Sequence, residues 1–211
     1  MISILNYGMG NLASIQGMLK KVGVASRVIA SAPEVREAES LIVPGVGQFD
    51  NAMKRIESLG LRDALDDAAL GRRIPILGIC LGMQLMTLGS EEGSRQGLGW
   101  IEAATRRFSA DSALRVPHMG WNLIRGHGEH PLFEGDGLRE HRYYFVHSYA
   151  VQCTNRSDVV ATTVYGEEFV SVVSRANLLG VQFHPEKSHK FGATFLRRYA
   201  ALPGLPANAA V

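Results

Sequence analysis

The sequence predicts an α/β fold with a mostly parallel central sheet, flanked by helices and extended by antiparallel strands. Over about the first 88 residues, short apolar segments alternate with segments of helical period, a pattern typical of parallel sheets. From Trp100 to about Val173 the chain carries short segments rich in Thr, Val, Tyr and Phe, which indicate antiparallel strands. A length of 211 residues suffices for one well-filled domain and is short for two, so residues 1–211 are expected to form a single domain.

The elements of the first half follow from apolar runs, helical periods and glycine breaks. The predicted strands are residues 2–5, 28–30, 40–43 and 74–79, and the predicted helices are residues 12–22, 49–57 and 61–70, followed by a helix that carries Leu81, Leu85 and Met86. Gly23 ends the first helix, and the third strand breaks at Pro44-Gly45-Val46-Gly47. Functional residues of such sheets gather at the carboxyl ends of the strands, where this loop and Cys80 both fall.

The elements of the second half are mostly strands. Residues 143–146, 159–165 and 169–173 are expected to extend the sheet, and residues 178–183 form a further strand. A last helix is predicted over residues 188–199. Residues 202–211, rich in Pro and Ala, are expected to form a frayed tail.

Composition narrows the classes of function. A net charge of +2 without a Lys/Arg cluster predicts neither nucleic acid nor membrane as a partner. The longest apolar run, residues 74–88, is too short and too interrupted to cross a bilayer, and the N-terminus lacks the features of a signal peptide. Cys80 and Cys153 are too few for a disulfide framework, which favours the cytoplasm. The cysteines and histidines show no metal-ligand spacing, so we expect no metal and no other cofactor.

The turn after the first strand resembles a dinucleotide-binding fingerprint. Gly8-x-Gly10-x-x-Ala13 has the required glycine spacing and lies between a strand and a helix. An acidic residue that binds ribose should end the second strand, but Val28-Ile29-Ala30 leads into Ser31. A tight turn near the active-site edge is therefore the favoured interpretation, with NAD binding as the alternative.

Cys80 has the surroundings of an activated nucleophile. It is flanked by Gly78 and Gly82, where a buried strand runs into a helix. A sharp strand-to-helix turn strains its apex residue and needs neighbours without side chains. At the start of a helix, the dipole and the backbone N–H groups favour the thiolate, which is the reactive form. The alternative is a buried structural cysteine.

His184-Pro185-Glu186 supplies a base for that nucleophile. Residues i and i+2 of an extended segment point to the same side, so Glu186 is expected to hold the far ring nitrogen of His184. Cysteine, histidine and carboxylate then have the roles of nucleophile, base and orienting group. The alternative is that His184 is a structural histidine at the end of a strand, whose ring makes hydrogen bonds to the backbone.

Acyl transfer also needs donors for an oxyanion and a means of holding the substrate. The amide of Leu81 is one predicted donor, and the second is expected from Val46 and Gly47 after a reorientation of the Val46 peptide. Gln84 lies four residues beyond Cys80, on the same helical face, and suits recognition of an amino acid. An ordinary exposed glutamine is its alternative.

These motifs carry a resemblance to a known family. Gly78-Ile79-Cys80-Leu81-Gly82-Met83-Gln84 together with His184-Pro185-Glu186 resembles the class I (triad) glutamine amidotransferases. Further motifs are most similar to the glutaminase subunits of imidazole glycerol phosphate synthase, from histidine biosynthesis, and they cover residues 6–12, 44–47, 117–122, 144–149 and 180–188. The resemblance extends from about Ile2 to Tyr199.

The resemblance implies that glutamine is hydrolysed through a glutamyl thioester on Cys80. It assigns Gln84 and Glu92 to the α-amino acid end of glutamine, and the backbone around His147, Ser148 and Tyr149 to the same pocket. It also implies that the ammonia passes to a (β/α)8-barrel synthase subunit in a heterodimer.

The same resemblance assigns Asn11, Trp121 and Lys187 to the face that docks this barrel, although Trp121 also fits simple core packing. His189-Lys190-Phe191-Gly192 is similar to a paralogous branch that supplies ammonia for the amidination of bacterial surface sugars. Two further alternatives are a stand-alone cysteine hydrolase and a non-catalytic scaffold subunit.

Overall fold

The computed structural model describes residues 1–109, 115–127, 130–133 and 140–202. In the first half, strands alternate with helices as expected. The elements are β1 (Ile2–Leu5), α1 (Leu12–Lys21), β2 (Ser26–Ile29), α2 (Ala32–Glu37), β3 (Leu41–Gly45), α3 (Phe49–Ser58), α4 (Arg62–Asp66), β4 (Ile76–Cys80) and α5 (Leu81–Leu85).

The second half is dominated by strands and closes with a helix. Its elements are β5 (Ala103–Arg107), β6 (His118–Leu123), β7 (Arg125–Gly126), β8 (Arg142–His147), β9 (Tyr149–Cys153), β10 (Val159–Tyr165), β11 (Glu167–Arg175), β12 (Leu178–Val181) and α6 (His189–Tyr199). The predicted tail begins at Leu202, and its remaining residues, 203–211, lie outside the described part of the chain.

The main sheet confirms the predicted fold class. Its parallel part has the order β2-β1-β3-β4-β12 and continues with antiparallel β11, β10 and β7, while β9 pairs with β11 and β5 with β9. Both faces of the parallel part are buried, as is usual for such sheets. Ile4, Ile42 and Leu77 share a core with α1 and α6. The alternate residues of these strands point to the other face of the sheet. There they form a second core with α2, α3 and α4.

The prediction that residues 143–146 extend the main sheet is wrong. This segment lies in β8, which pairs with β6 in a separate two-stranded sheet. The alternating pattern is real, since Tyr143, Phe145 and His147 are buried and the residues between them are only half-buried. Alternation specifies a half-buried strand but not its partner, because pairing is set by long-range contacts.

Two helices differ from the prediction in their last turns. The segment expected to be helical over residues 61–70 is α-helical only to Asp66 and continues as a π-helical turn, Asp67–Gly71, in which the Arg72 N–H donates to the Asp67 carbonyl. The Arg72 guanidinium anchors this wider turn on the Val35 and Ala38 carbonyls. Helix α5 ends before Met86, whose carbonyl accepts the Trp100 N–H instead.

The turn that resembles a dinucleotide fingerprint is filled by the protein itself. Gly8 and Gly10 both have positive φ, of 83° and 124°. A Cβ at Gly10 would lie 2.9 Å from the Pro44 ring, whereas one at Gly8 would meet only the end of the flexible Arg55 side chain. Gly10 therefore serves close packing at the end of β3 and Gly8 serves the positive φ of a tight turn, in line with the favoured interpretation. Across the described residues, no helix has both the length and the apolar character needed to cross a membrane.

Candidate active site

Cys80 lies at the apex of a strained turn between β4 and α5. Its φ of 55° and ψ of −108° are rare for a residue with a side chain. The flanking glycines allow the turn, because a Cβ at Gly82 would overlap the Val43 carbonyl oxygen and one at Gly78 would lie 2.7 Å from the Gly82 backbone. The strand and the short helix thus meet backbone to backbone, which fixes the position of the Cys80 sulfur.

Replacement of Gly82 by alanine is expected to destabilise the protein by about 2–4 kcal/mol, since the added methyl group has no space beside the Val43 carbonyl. Urea denaturation measures the change. Gly17→Ala is the matched control, because nothing lies within 4 Å of a Cβ at this position in α1. It is expected to stabilise by about 0.5–1 kcal/mol. Equal effects of the two substitutions would contradict the close packing assigned to the turn.

His184 and Glu186 form a buried pair behind Cys80. The distance between His184 Nδ1 and Glu186 Oε1 is 2.8 Å, and their side chains are 1% and 2% exposed. The expected contact is present, but the local geometry differs from the prediction. Pro185–Lys187 is a 3-10 turn rather than an extended segment. It is packed under α6, where Gly192 lies against the Pro185 carbonyl with no room for a side chain.

The charges of this cluster support an imidazolium. Burial lowers the pKa of His184, but its interactions with Cys80, and after them those with the Glu186 carboxylate, outweigh burial and raise the pKa to about 10. Since Glu186 occupies Nδ1, the buried Nε2 atom of His184 is the ring nitrogen that interacts with the Cys80 sulfur. It is therefore free to exchange a proton with a group at the sulfur.

A pocket of about 270 Å³ opens in front of the sulfur. This volume is just below the range of about 300–1,000 Å³ that is usual for drug-sized ligands and suits a ligand of amino-acid size. The structure brings every sequence-predicted residue for the oxyanion and for substrate binding to this pocket, together with Cys80 and His184. The lining residues are Val46, Gly47, Cys80, Leu81, Gln84, Glu92, Pro117, Val146, His147, Ser148, Tyr149 and His184.

Gln84 and Glu92 each use part of their side chain to hold the pocket together. Gln84 is buried, so the alternative of an ordinary exposed glutamine does not apply. Its Nε2 donates to the Tyr149 carbonyl and to Gln182 Oε1, both at 3.0 Å, and its own Oε1 takes no part in these bonds. Glu92 Oε2 accepts the N–H of Phe49 at 2.8 Å. The single side-chain oxygen of Gln84 and the other carboxylate oxygen of Glu92 are therefore left for a ligand.

Two residues close to the sulfur were missed by the sequence reasoning. Gln182 Nε2 lies 3.6 Å from Cys80 Sγ. The i, i+2 spacing used for Glu186 also relates Gln182 to His184 and is the signal that identifies it. Tyr7 donates to the Pro44 carbonyl at 2.7 Å and thereby anchors the end of β3 beside the pocket. No sequence pattern indicates this contact, because it joins residues 37 positions apart.

His147, which lines the pocket, forms a hydrogen-bonded pair with His118. His147 Nδ1 is 2.8 Å from the Tyr149 carbonyl, which only accepts, so the proton is on Nδ1. His147 Nε2 then accepts from His118 Nδ1 at 3.1 Å, and His118 Nε2 accepts from Asn122 Nδ2 at 3.3 Å. Burial lowers the pKa of His118 to about 4 and that of His147 to about 3. Both rings are therefore neutral at pH 7.

These two histidines predict a loss of stability in mild acid. Their pKa values are lowered in the folded state, whereas an unfolded histidine titrates near 6.5. Between pH 6 and pH 5 the unfolded chain binds protons that the folded chain excludes, so the free energy of unfolding falls as pH falls. Each ring contributes about 1.4 kcal/mol per pH unit. Urea denaturation at several pH values measures the slope.

His118→Gln removes one of the two buried histidines. The free energy of unfolding should then fall less steeply between pH 6 and pH 5, by about 1.4 kcal/mol per pH unit. His189→Asn is the control, because this residue is exposed at the start of α6 and has a positive φ that asparagine tolerates. Its slope should match that of the unmodified protein. An unchanged slope in His118→Gln would mean that His118 is not held neutral by the fold.

The residues predicted for partner docking lie at the surface. Asn11 and Lys187 are exposed, and Trp121 is 43% exposed, so Trp121 does not belong to the core. The Trp121 ring stacks on His189 at 5.6 Å, and Lys187 Nζ lies 5.8 Å from the Tyr144 ring centroid. Helix α1, which follows Asn11, contacts both α6 and the 3-10 turn that contains Lys187. Exposed Met119, Leu123 and Val164 add apolar surface.

Comparison with known sequences gives one consistent family. A profile described as glutamine amidotransferase class-I matches residues 3–200. The chain is 43% identical over 202 residues to the imidazole glycerol phosphate synthase subunit HisH 2 of Pseudomonas aeruginosa, covering 96% of this chain and 100% of that one. It is 46% identical over 201 residues to the subunit of the same name in Methanococcus maripaludis, covering 94% and 98%.

Solved structures give the same fold at low sequence identity. A crystal structure of a glutamine amidotransferase superposes with a TM-score of 0.75 at 18% identity, over 97% of this chain and 99% of that one. The glutaminase domain of Trypanosoma brucei CTPS with bound acivicin gives a TM-score of 0.65 at 16% identity, over 98% and 97%. These likenesses concern the fold.

Proposed function

The chain belongs to the class I glutamine amidotransferase family, and on this premise we propose that it is the glutaminase subunit of an imidazole glycerol phosphate synthase. It hydrolyses glutamine to glutamate and ammonia and delivers the ammonia to a barrel synthase subunit for histidine biosynthesis. The observation that carries the proposal is that Cys80 and His184 line one amino-acid-sized pocket, while Glu186 contacts the far nitrogen of the His184 ring. The activity is placed in the cytoplasm, where reducing conditions keep the Cys80 thiol free.

The chemistry is acyl transfer in two steps. The Cys80 thiolate attacks the side-chain carbonyl carbon of glutamine, and His184 gives its proton to the leaving nitrogen, which departs as ammonia. The resulting glutamyl thioester is attacked by water, from which His184 takes a proton, and the thiolate leaves as glutamate forms. Glu186 holds Nδ1 of His184 throughout, so that Nε2 faces the reacting groups.

Both tetrahedral intermediates carry a negative oxygen that needs donors. Leu81, directly after the nucleophile, and the Val46–Gly47 segment line the pocket on the side of β3. The bond from Tyr7 fixes this strand as far as Pro44. A reorientation that aims the Val46 N–H at the oxyanion therefore falls in residues 45–47, where Gly47 already has a φ of 108°.

The α-amino acid end of glutamine is held by the opposite wall. Gln84 Oε1 and the second carboxylate oxygen of Glu92 suit the ammonium group, because both are acceptors not used in the contacts within the wall. The backbone of His147, Ser148 and Tyr149 completes the wall. His147 is fixed there by its bond to the Tyr149 carbonyl.

The partner is tested by glutamine turnover with and without a (β/α)8-barrel synthase subunit and its ribotide substrate. We expect glutamate formation to rise when the barrel and its ligand are present, and one ammonia to be incorporated per glutamate. High turnover by the chain alone, unaffected by the barrel, would favour a stand-alone cysteine hydrolase. Absence of Cys80 labelling by a glutamine-analogue electrophile would favour a non-catalytic scaffold.

The second candidate is ammonia supply for the amidination of a surface sugar. One observation favours it: the run 189–192, which resembles that branch, lies at the predicted docking face. His189 stacks on Trp121 and Phe191 contacts the same ring edge to face. A sugar-modifying partner would therefore differ from the barrel synthase in its contacts with these residues. The glutaminase chemistry would be the same with either partner. Ammonia incorporation into the ribotide supports the first function, and incorporation only with a sugar-modifying partner supports the second.

A further inference from the structure

Gln182 is a fully buried polar residue that touches the nucleophile. Its exposure is 0%, and it lies just beyond β12, two residues before His184. Its Nε2 is 3.6 Å from Cys80 Sγ, within the range of a hydrogen bond to sulfur. Its backbone N–H donates to the Ser171 carbonyl at 2.9 Å, so the residue is tied to β11. The side chain is therefore held in one place beside the sulfur.

The direction of its amide follows from the neighbouring bonds. The Tyr149 carbonyl can only accept, so the Gln84 atom that faces it at 3.0 Å must be Nε2. The same Nε2 donates to Gln182 at 3.0 Å, which must then present Oε1. The remaining end of the Gln182 amide, Nε2, is thereby turned to the sulfur.

We infer that Gln182 is a further catalytic residue, which donates a hydrogen bond to the Cys80 thiolate and fixes the direction of the sulfur. The inference rests on the proposed function, since it concerns the nucleophile of that reaction. Within the described part of the chain, the sulfur is the one acceptor for Gln182 Nε2. A neutral thiol accepts poorly, whereas a thiolate accepts a charge-assisted bond. A buried amide in this position therefore favours the charged, reactive form.

The arrangement also joins substrate recognition to the nucleophile. Gln84 holds the amide of Gln182 and, in the proposed function, the ammonium group of glutamine. Hydrogen bonds in a chain polarise one another. An ammonium group at Gln84 Oε1 strengthens the Gln84 donor, which in turn strengthens the Gln182 donor to the sulfur. The thiolate is then stabilised most when glutamine is present.

The test is the rate of Cys80 alkylation by iodoacetamide in the full chain between pH 5 and pH 10. Mass spectrometry of the Cys80 peptide separates this reaction from that of Cys153. Gln182→Met keeps the length of the side chain and removes the donor, and Gln182→Glu replaces the donor with a negative charge. Ser171→Ala is the matched control, because Ser171 is fully buried next to Gln182 and its hydroxyl has no partner among the described residues.

We expect Gln182→Met to lower the alkylation rate at pH 6.5 about tenfold and to move the pH midpoint up by about one unit. Gln182→Glu should move the midpoint further, and Ser171→Ala should leave it unchanged. Folding is checked by cooperative urea unfolding. Should both Gln182 variants fail to fold, Gln84→Met, which releases the Gln182 amide, is expected to shift the midpoint in the same direction by a smaller amount.

Equal midpoints in the unmodified protein, Gln182→Met and Gln182→Glu would overturn the inference while leaving the proposed function intact. If the variants do not fold, an unshifted midpoint in Gln84→Met would overturn it instead. A different outcome would count against the proposed function itself. If Cys80 of the unmodified protein were not alkylated below pH 8.5, it would not be an activated nucleophile.

Discussion

Cys80→Ala is expected to lower glutamine hydrolysis by about 10⁴-fold or more, because no thioester forms without the sulfur. Alanine has a Cβ like cysteine, so the strain at φ 55° is unchanged and the fold is expected to persist. The measurement is glutamate formation by the chain combined with its barrel partner and the acceptor. Cys153→Ala is the matched control, since this free and half-buried cysteine does not line the pocket, and full activity is expected.

The Cys80→Ala complex should still use free ammonium. In the proposed function the acceptor is bound by the partner, so added ammonium replaces the ammonia that this chain no longer makes. Synthesis with ammonium and the affinity between the subunits are therefore expected to match those of the unmodified complex. Loss of ammonium-dependent synthesis, with the complex intact, would contradict the separation of the two sites.

His184→Ala is expected to have the second largest effect, a loss of about 10³-fold in kcat. The imidazole carries the proton in both steps, and without it the ammonia leaves unassisted. The substitution also removes the positive partner of the sulfur, which we infer from the raised pKa of His184. Turnover with saturating glutamine measures the loss, because the side chains assigned to the amino-acid end are untouched.

The loss of turnover in Glu186→Gln is to be compared with the loss in His184→Ala. A glutamine oxygen can still accept from His184 Nδ1, so the ring keeps its orientation and loses only the charge that supports the imidazolium. We expect a loss of about 10- to 100-fold, clearly smaller than for His184→Ala. Losses of equal size would show that the two residues do not divide proton transfer and orientation as assigned.

The fold could be predicted where the pattern is local. Strand and helix periods over the first 80 residues lead directly to a parallel sheet, since a helix that connects two strands allows them to run in the same direction. The assignment of residues 143–146 to the main sheet failed for the opposite reason. Its partner, β6, is distant in sequence, and no local feature distinguishes a strand of the main sheet from one in a separate pair.

In the candidate site, too, local patterns could be predicted and long-range contacts could not. Cys80 and His184 were paired from sequence because the glycine elbow and the spacing to Glu186 are short-range patterns. The i, i+2 spacing relates Gln182 to His184, but its action as a donor to the sulfur depends on an amide direction fixed by Gln84 and Tyr149. The pair His118 and His147 depends likewise on the register of β6 and β8. Such contacts exist only once distant strands are paired.

The backbone at Cys80 has a consequence for any replacement of this residue. Its positive φ of 55° is a conformation that glycine adopts without a steric penalty and that cysteine does not. A glycine at this position would therefore relieve the strain and remove the sulfur in the same step. Thermostability and nucleophilicity thus oppose each other at the elbow.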